Sequence, residues 1–242
     1  MSSSYKERFY SKYVSTHNSK LYGPNDMGRV RAQYPVWDSQ YGGFLSEDKE
    51  ARIADLGCAD GGLVAWLHAE GFKNAEGVDV SGEQIAAGKA MGITALTEMD
   101  LREFLRLRPD HFDLLFLRDV LGHFPKEEVL EIVELMHASL KSGGMLVVKT
   151  PNAESPMTGR LRYGDFTHDT SFTGQSLRQL LEVHSFKDVE IYSMRPAVHG
   201  IISAARWILW WPIEIQIRIW RLIEAGSPSG WFTQNVVVVG RK

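Results

Sequence analysis

Arg52-Ile53-Ala54-Asp55-Leu56-Gly57-Cys58-Ala59-Asp60-Gly61-Gly62, with Gly77-Val78-Asp79 further on, spells a buried strand, a glycine turn opening a helix, and a second strand ending in a carboxylate. Glycines let the backbone approach a ligand where a Cβ would collide with it. A carboxylate at the tip of the next strand can accept hydrogen bonds from a ribose diol. Together they form a cradle for a small polar, nucleoside-like ligand at the carboxyl edge of a parallel sheet.

Asp55 narrows the choice of ligand. Gly57-x-Ala59-x-x-Gly62 is a degenerate dinucleotide fingerprint, and Asp79 stands at a spacing suited to a ribose. A dinucleotide lays its pyrophosphate against this turn, where a carboxylate two residues before Gly57 repels it. A ligand carrying an ammonium group gains from the same charge.

Beyond the turn, short apolar strands alternate with amphipathic helices, the mark of βα units feeding a parallel sheet. Strands are predicted at 51–56, 75–80, 93–97, 113–118 and 144–150, and helices near 62–70, 82–90 and 126–140. In the third helix Val129, Ile132, Val133 and Met136 share one face and Glu127, Glu128, Glu131 and Glu134 the other. Pro125 precedes it, and Lys141-Ser142-Gly143-Gly144 is read as its end. After a polar loop over 151–172 come a helix at 174–184 and a strand from Lys187 to Met194. The β-branched run Asn235–Val239 reads as a last strand, antiparallel beside its predecessor. Residues 1–45, polar and rich in tyrosine, read either as a cap over a ligand or as a helical layer on the sheet.

The 242 residues suffice for one domain with a sizeable core. A net charge of −3 gives no electrostatic case for a nucleic-acid partner, and none is expected. The single cysteine, Cys58, excludes an intramolecular disulfide and a multi-cysteine metal site. The first residues lack the apolar core of a signal peptide and no 18-residue apolar run exists, so a cytoplasmic location is expected.

From residue 50 to 194, and again in the last strand, the chain resembles the class I S-adenosylmethionine-dependent methyltransferases. Ile53–Gly61 matches their first motif, with Ala59 where glycine is commonest, and Gly77-Val78-Asp79-Val80-Ser81 looks like their ribose-holding strand end. Met99-Asp100-Leu101 is placed like the segment flanking the adenine, and Phe112–Leu121 resembles the fourth-strand motif that faces the sulfonium. Leu140–Val148 is similar to the family's helix-end and fifth-strand block. The five pieces stand in the family's order. The resemblance implies an α/β fold, with a Rossmann-like, seven-stranded, mostly parallel sheet, helices on both faces and an antiparallel last strand, in one domain over 1–242. It implies S-adenosylmethionine as cofactor, held by Asp55, Gly57, Cys58, Ala59, Gly61, Asp79, Val80, Asp100, Leu101 and Arg118. The reaction implied is in-line displacement at a sulfonium carbon, in which the protein aligns the reactants and excludes water.

A hydroxyl acceptor needs a general base. His123 follows the fourth strand, at the lip where such folds place their chemistry. In ubiquinone-pathway O-methyltransferases the comparable segment carries acidic residues and a histidine associated with a divalent metal. Gly122 occupies one of those acidic positions here, so no metal is expected. The second candidate is His168, in the loop Arg160-Leu161-Arg162-Tyr163-Gly164-Asp165-Phe166-Thr167-His168-Asp169-Thr170, oriented by Asp165 or Asp169. Arg160, Arg162 and Tyr163 suit recognition of a sugar or phosphate, with the arginines forking onto an anion.

Between the last two strands, 198–230 is an apolar insertion holding Trp207, Trp210, Trp211 and Trp220, read as two helices split at Pro212. Ile213–Ile219 also alternates with period two, which fits a strand. Tryptophan and arginine beside aliphatics suit a membrane surface; a homodimer interface, or helices packed on the sheet, is the other reading. The polar loop, this insertion and Phe232-Thr233-Gln234-Asn235 are similar to methyltransferases of bacterial surface-polysaccharide (O-antigen or capsule) synthesis, implying O-methylation of a saccharide hydroxyl or terminal phosphate on a lipid-linked or nucleotide-linked acceptor. Alternatives are a quinone-like or other lipid acceptor, and an NAD(P)-dependent oxidoreductase or epimerase of sugar nucleotides. Against the last, Tyr5, Tyr10 and Tyr163 are followed four residues on by Phe9, Val14 and Thr167, so none starts a Tyr-x-x-x-Lys pair.

Overall fold

The computed structural model describes Phe9 and residues 26–242. In chain order, α1 (Met27–Ala32) and α2 (Tyr34–Tyr41) lead through a short 3-10 turn to β1 (Ile53–Leu56), α3 (Gly62–Ala69) and β2 (Ala75–Asp79). Then come α4 (Gly82–Ala90), β3 (Leu96–Glu98), α5 (Leu101–Arg106) and β4 (Phe112–Arg118). A 3-10 turn at Leu121–His123 precedes α6 (Lys126–Ser139), β5 (Leu140–Pro151) and α7 (Thr158–Arg162). The chain continues through α8 (Gly174–Val183), β6 (Lys187–Ser193), α9 (Ile201–Ala225) and β7 (Asn235–Arg241).

The seven strands form one sheet in the order β3-β2-β1-β4-β5-β7-β6. The first five are parallel, and β7 lies antiparallel to both β5 and β6. The strand order reverses between β1 and β4, which opens a crevice at their carboxyl ends.

Alternate residues of each strand feed two cores. Leu115, Leu117, Leu146, Val148, Val236 and Val238 pack toward α5, α6 and α8 on one face. Leu114, Phe116, Val147, Val237 and Val239 pack with Tyr41, Leu63 and Trp66 on the other. A sheet covered on both faces needs apolar residues at every position, so these strands read as continuous runs. Helix starts follow local chemistry: Ser81 caps α4, Asp100 caps α5, and Thr173 with Ser176 forms a capping box on α8.

Three expectations change, and a fourth lies mostly outside the described residues. The third strand occupies Leu96–Glu98 rather than 93–97, because only these residues pair with β2, while Ile93 packs beneath the turn. The segment 140–144 read as a helix end is the irregular start of β5, which shifts register against β4. Residues 201–225 form one helix, neither two helices nor a strand. Pro212 lies on its exposed side, where the missing amide hydrogen bond costs least. Finally, most of the expected N-terminal cap lies outside the described residues, but Phe9 stacks on Phe166 at 5.3 Å, over the 160–170 loop.

Candidate active site

The turn from β1 to α3 is shaped by three left-handed residues, Gly57 (φ 72°), Ala59 (φ 52°) and Gly61 (φ 78°). A Cβ at Gly57 would come within 2.3 Å of Val120, and one at Gly61 within 2.7 Å of Leu96. The backbone N–H groups of Gly57 and Cys58 donate to the Val78 carbonyl at 2.8 and 3.0 Å, tying the turn to β2. Ala59 donates to Asp79 Oδ2 at 2.9 Å and Ser81 to Asp79 Oδ1 at 2.8 Å. Burial pushes the Asp79 carboxyl up while these N–H donors pull it back. Beside it Val80 is exposed, an apolar platform at the edge of the crevice. Asp79 and Val80 thus could serve the ribose and adenine sides of S-adenosylmethionine, while the glycines are required by their left-handed backbone and by the close packing of Val120 and Leu96. The Cys58 side chain is buried against Gly77, so only its backbone is available to a ligand. Burial, with Asp55 and Asp79 nearby, holds the thiol well above its ordinary range, where it is protonated and inert.

Asp55 and Arg118 do not stand open to a ligand as expected. Asp55 is fully buried and accepts from Arg118 Nη2 at 2.9 Å and Nε at 3.3 Å. Burial raises the Asp55 carboxyl, and the guanidinium opposes that rise. A carboxylate this deep needs a counter-charge, and the neighbouring strand supplies it. Asp100 likewise is committed: its carboxylate accepts from Arg102 Nε at 3.0 Å and Nη2 at 2.8 Å, which lowers its proton affinity. Leu101 is buried in the core. A base flanked by this segment would meet its backbone.

The acceptor side gathers where the loop after β5 folds onto the end of β4. Gly122 O accepts from the N–H groups of Asp169 (2.7 Å) and Thr170 (3.1 Å). The His168 ring lies 3.4 Å from where a Gly122 Cβ would stand. Asp165 Oδ1 accepts from both the N–H and the hydroxyl of Thr167, at 2.9 and 2.6 Å. With its proton so directed, Thr167 Oγ1 can only accept from His123 Nδ1, 2.9 Å away. His168 Nδ1 points at the Leu161 carbonyl, 3.1 Å away, and must donate to it. These partners assign both rings the tautomer whose Nε2 carries the lone pair. The rings lie 4.6 Å apart, and burial followed by the charge of His168 lowers the His123 pKa.

Asp165 therefore orients His123 through Thr167, not His168 as expected. Arg162 spends its donors on the carbonyls of His168 and Asp169, bracing the loop rather than forking onto an anion. Arg160 and Tyr163 are exposed on the outside of the loop. His123, Asp165 and His168 each offer a ligand atom, all within 4.8 Å of one another, so the three could hold a divalent cation. The expectation of no metal rested on Gly122, and the space left by its missing side chain is where His168 packs.

Sequence reasoning missed Asp119 and Lys149. Asp119 has φ 59° and is ion-paired with the half-buried Lys149. It lines a small, water-sized cavity with Gly122, Thr150, Arg162 and His168, and its Oδ1 is buried with no hydrogen-bond partner among the described residues. A lone lysine closing the apolar run Met145–Val148 was the available signal. Also missed were Arg29, paired with Asp60 of the turn, and Trp37, which lies against Gly62; both bring the N-terminal helices to the cradle.

Residues 39–191 match a family model described as a methyltransferase domain. Among solved structures, a SAM-dependent methyltransferase from Archaeoglobus fulgidus superposes with a TM-score of 0.66 at 21% identity, over 88% of this chain and 96% of that one. One from Thermotoga maritima gives 0.64 at 14% identity, over 98% and 99%. Phosphoethanolamine N-methyltransferase 2 of Haemonchus contortus, in complex with phosphomonomethylethanolamine and S-adenosylhomocysteine, gives 0.61 at 14% identity, over 96% of this chain and 60% of that one. No curated protein sequence matches significantly.

Proposed function

Given that the chain belongs to the methyltransferase-domain family and uses S-adenosylmethionine, we propose that it O-methylates a saccharide hydroxyl, with the acceptor presented on the side of the sheet edge that carries His123 and the 160–170 loop. When bound, the cofactor supplies an electrophilic methyl group on a sulfonium. The chain's own residues supply orientation and a sink for the acceptor's proton.

The Asp165–Thr167–His123 relay is the observation that carries this reading. An alcohol must lose its proton as the new bond forms, and a neutral imidazole with a fixed tautomer is suited to take it. Asp165 accepts a hydrogen bond from the Thr167 hydroxyl and Thr167 Oγ1 accepts one from His123 Nδ1–H, so each proton stays on its donor and the lone pair of the neutral imidazole is on Nε2. As His123 becomes imidazolium, the carboxylate at the far end of the relay stabilises the charge. His168 packs beside His123, with the two rings 4.6 Å apart.

The test is methyl transfer from labelled S-adenosylmethionine to lipid-linked and nucleotide-linked saccharides, with mass spectrometry of the cell-surface glycans of a deletion strain. Loss of one methyl per repeat in the deletion strain is the expected result. Transfer to an amine or a quinone-like phenol, with saccharides inert, would reject the saccharide acceptor while leaving the cofactor assignment standing.

A further inference from the structure

Helix α9 is packed the wrong way round for a globular protein. A set of its charged residues faces inward, while Arg206, Gln216 and Glu224 are exposed: Glu214 is buried and accepts from Arg195 at 2.9 Å and Arg218 at 2.6 Å. Arg218 also donates to the Pro228 carbonyl at 2.9 Å, and Arg221 lies 3.8 Å from Glu154 at the root of the 160–170 loop. Of the 25 residues, only Ser203 and Glu214 are buried. The outward stripe is aliphatic, running from Ile201 (91% exposed) through Ile208, Ile215 and Ile219 to Ile223 (80% exposed). A surface helix ordinarily does the reverse.

We infer that α9 is a bilayer-interface helix, lying in the plane of a membrane with its aliphatic stripe among the acyl chains. Of the four tryptophans on the helix, Trp207 and Trp210 turn furthest from the stripe, toward the protein, and the placing of the other two favours lipid over a second copy of the chain. At about 100° per residue, Trp211 and Trp220 fall about 80–100° to either side of the isoleucine stripe, not on it. Protein interfaces bury their aromatic anchors at the centre. At a lipid interface the amphipathic rings belong at the border, level with the headgroups, and the aliphatics lie deepest. The outer stripe carries no charge, and among the described residues no helix is long and apolar enough to cross a membrane, which leaves the in-plane mode. The contact between Arg221 and Glu154 joins the docked helix to the acceptor loop, so docking turns that side of the enzyme toward the bilayer.

The test uses the full chain, co-sedimented with vesicles of phosphatidylcholine alone and with added phosphatidylglycerol. Wild type is expected in the pellet with both, and brominated lipid is expected to quench its tryptophan fluorescence. The triple substitution Ile208→Glu, Ile215→Glu, Ile219→Glu is expected to lower vesicle binding about tenfold or more, because binding scales with buried apolar area. Unchanged thermal melting and S-adenosylmethionine binding in that variant separate loss of docking from loss of fold or of the methyltransferase site. Wild type remaining in the supernatant with both vesicles, while ultracentrifugation shows a dimer that the triple substitution dissociates, would overturn the inference.

Discussion

His123 and Thr167 stand 44 positions apart in sequence and meet at 2.9 Å, with the Thr167 hydroxyl already directed to Asp165. Thr167→Val keeps the shape and removes the relay. It is expected to lower kcat by about 10²-fold with little change in KM, the size of effect usual for a general base. Thr167→Ser should restore most of the rate. Steady-state methyl transfer on the three proteins checks this.

The pH dependence follows from the same pair. Burial and the neighbouring His168 hold the His123 pKa below its ordinary 6.5, so the ring stays neutral and basic at lower pH than a free histidine. The acid limb of kcat/KM should therefore lie below pH 6.5, and it should vanish in His123→Ala. The linkage has the same sign. Below pH 6.5 the unfolded chain takes up this proton before the folded one does, so stability from His123 is present above 6.5 and is lost as pH falls through the depressed folded value.

Because His123, Asp165 and His168 could also hold a cation, chelation is a direct test. Asp165 Oδ1 is already committed to Thr167, so turnover is expected to survive EDTA. Loss of activity that returns with a divalent metal would replace the imidazole base with a metal-assisted one.

Arg118 neutralises a carboxylate with no exposed surface. Arg118→Leu leaves Asp55 buried and unpaired, and should cost about 3–5 kcal/mol in urea denaturation. Adding Asp55→Asn should recover part of that loss.

Ala59 holds a left-handed conformation that a Cβ disfavours by about 1 kcal/mol. Ala59→Gly is expected to raise Tm slightly, by about 1–4 °C for a chain of this size, and to leave the N–H bond to Asp79 in place.

What the sequence revealed depended on how far apart the cooperating residues lie. Strands β1, β4 and β5 were legible because burial on both faces leaves an uninterrupted apolar run. The turn at Gly57–Gly61 was legible because its backbone demands are local. Asp55 was found, but not what it does: its partner Arg118 comes from another strand, 63 positions away. The histidines were found, but their wiring was not, since Thr167 looks like any loop threonine until the loop is folded onto Gly122. Helix α5 was missed because six residues are too few to show a period. Pro212 misled because a proline breaks a helix only where its missing donor cannot be tolerated.

Strand β7 lies between β5 and β6, yet it is made after both. From the completion of β5 until Asn235 emerges, residues 152–234 must be synthesised. At 5–20 residues per second that is about 4–17 seconds in which β5 presents an open hydrogen-bonding edge beside an unfinished core. Helix α9 is complete before that edge closes. If it meets a bilayer as soon as it forms, the nascent chain is held at a surface while the sheet waits for the strand that joins β5 to β6, which limits edge-to-edge encounters between unfinished copies.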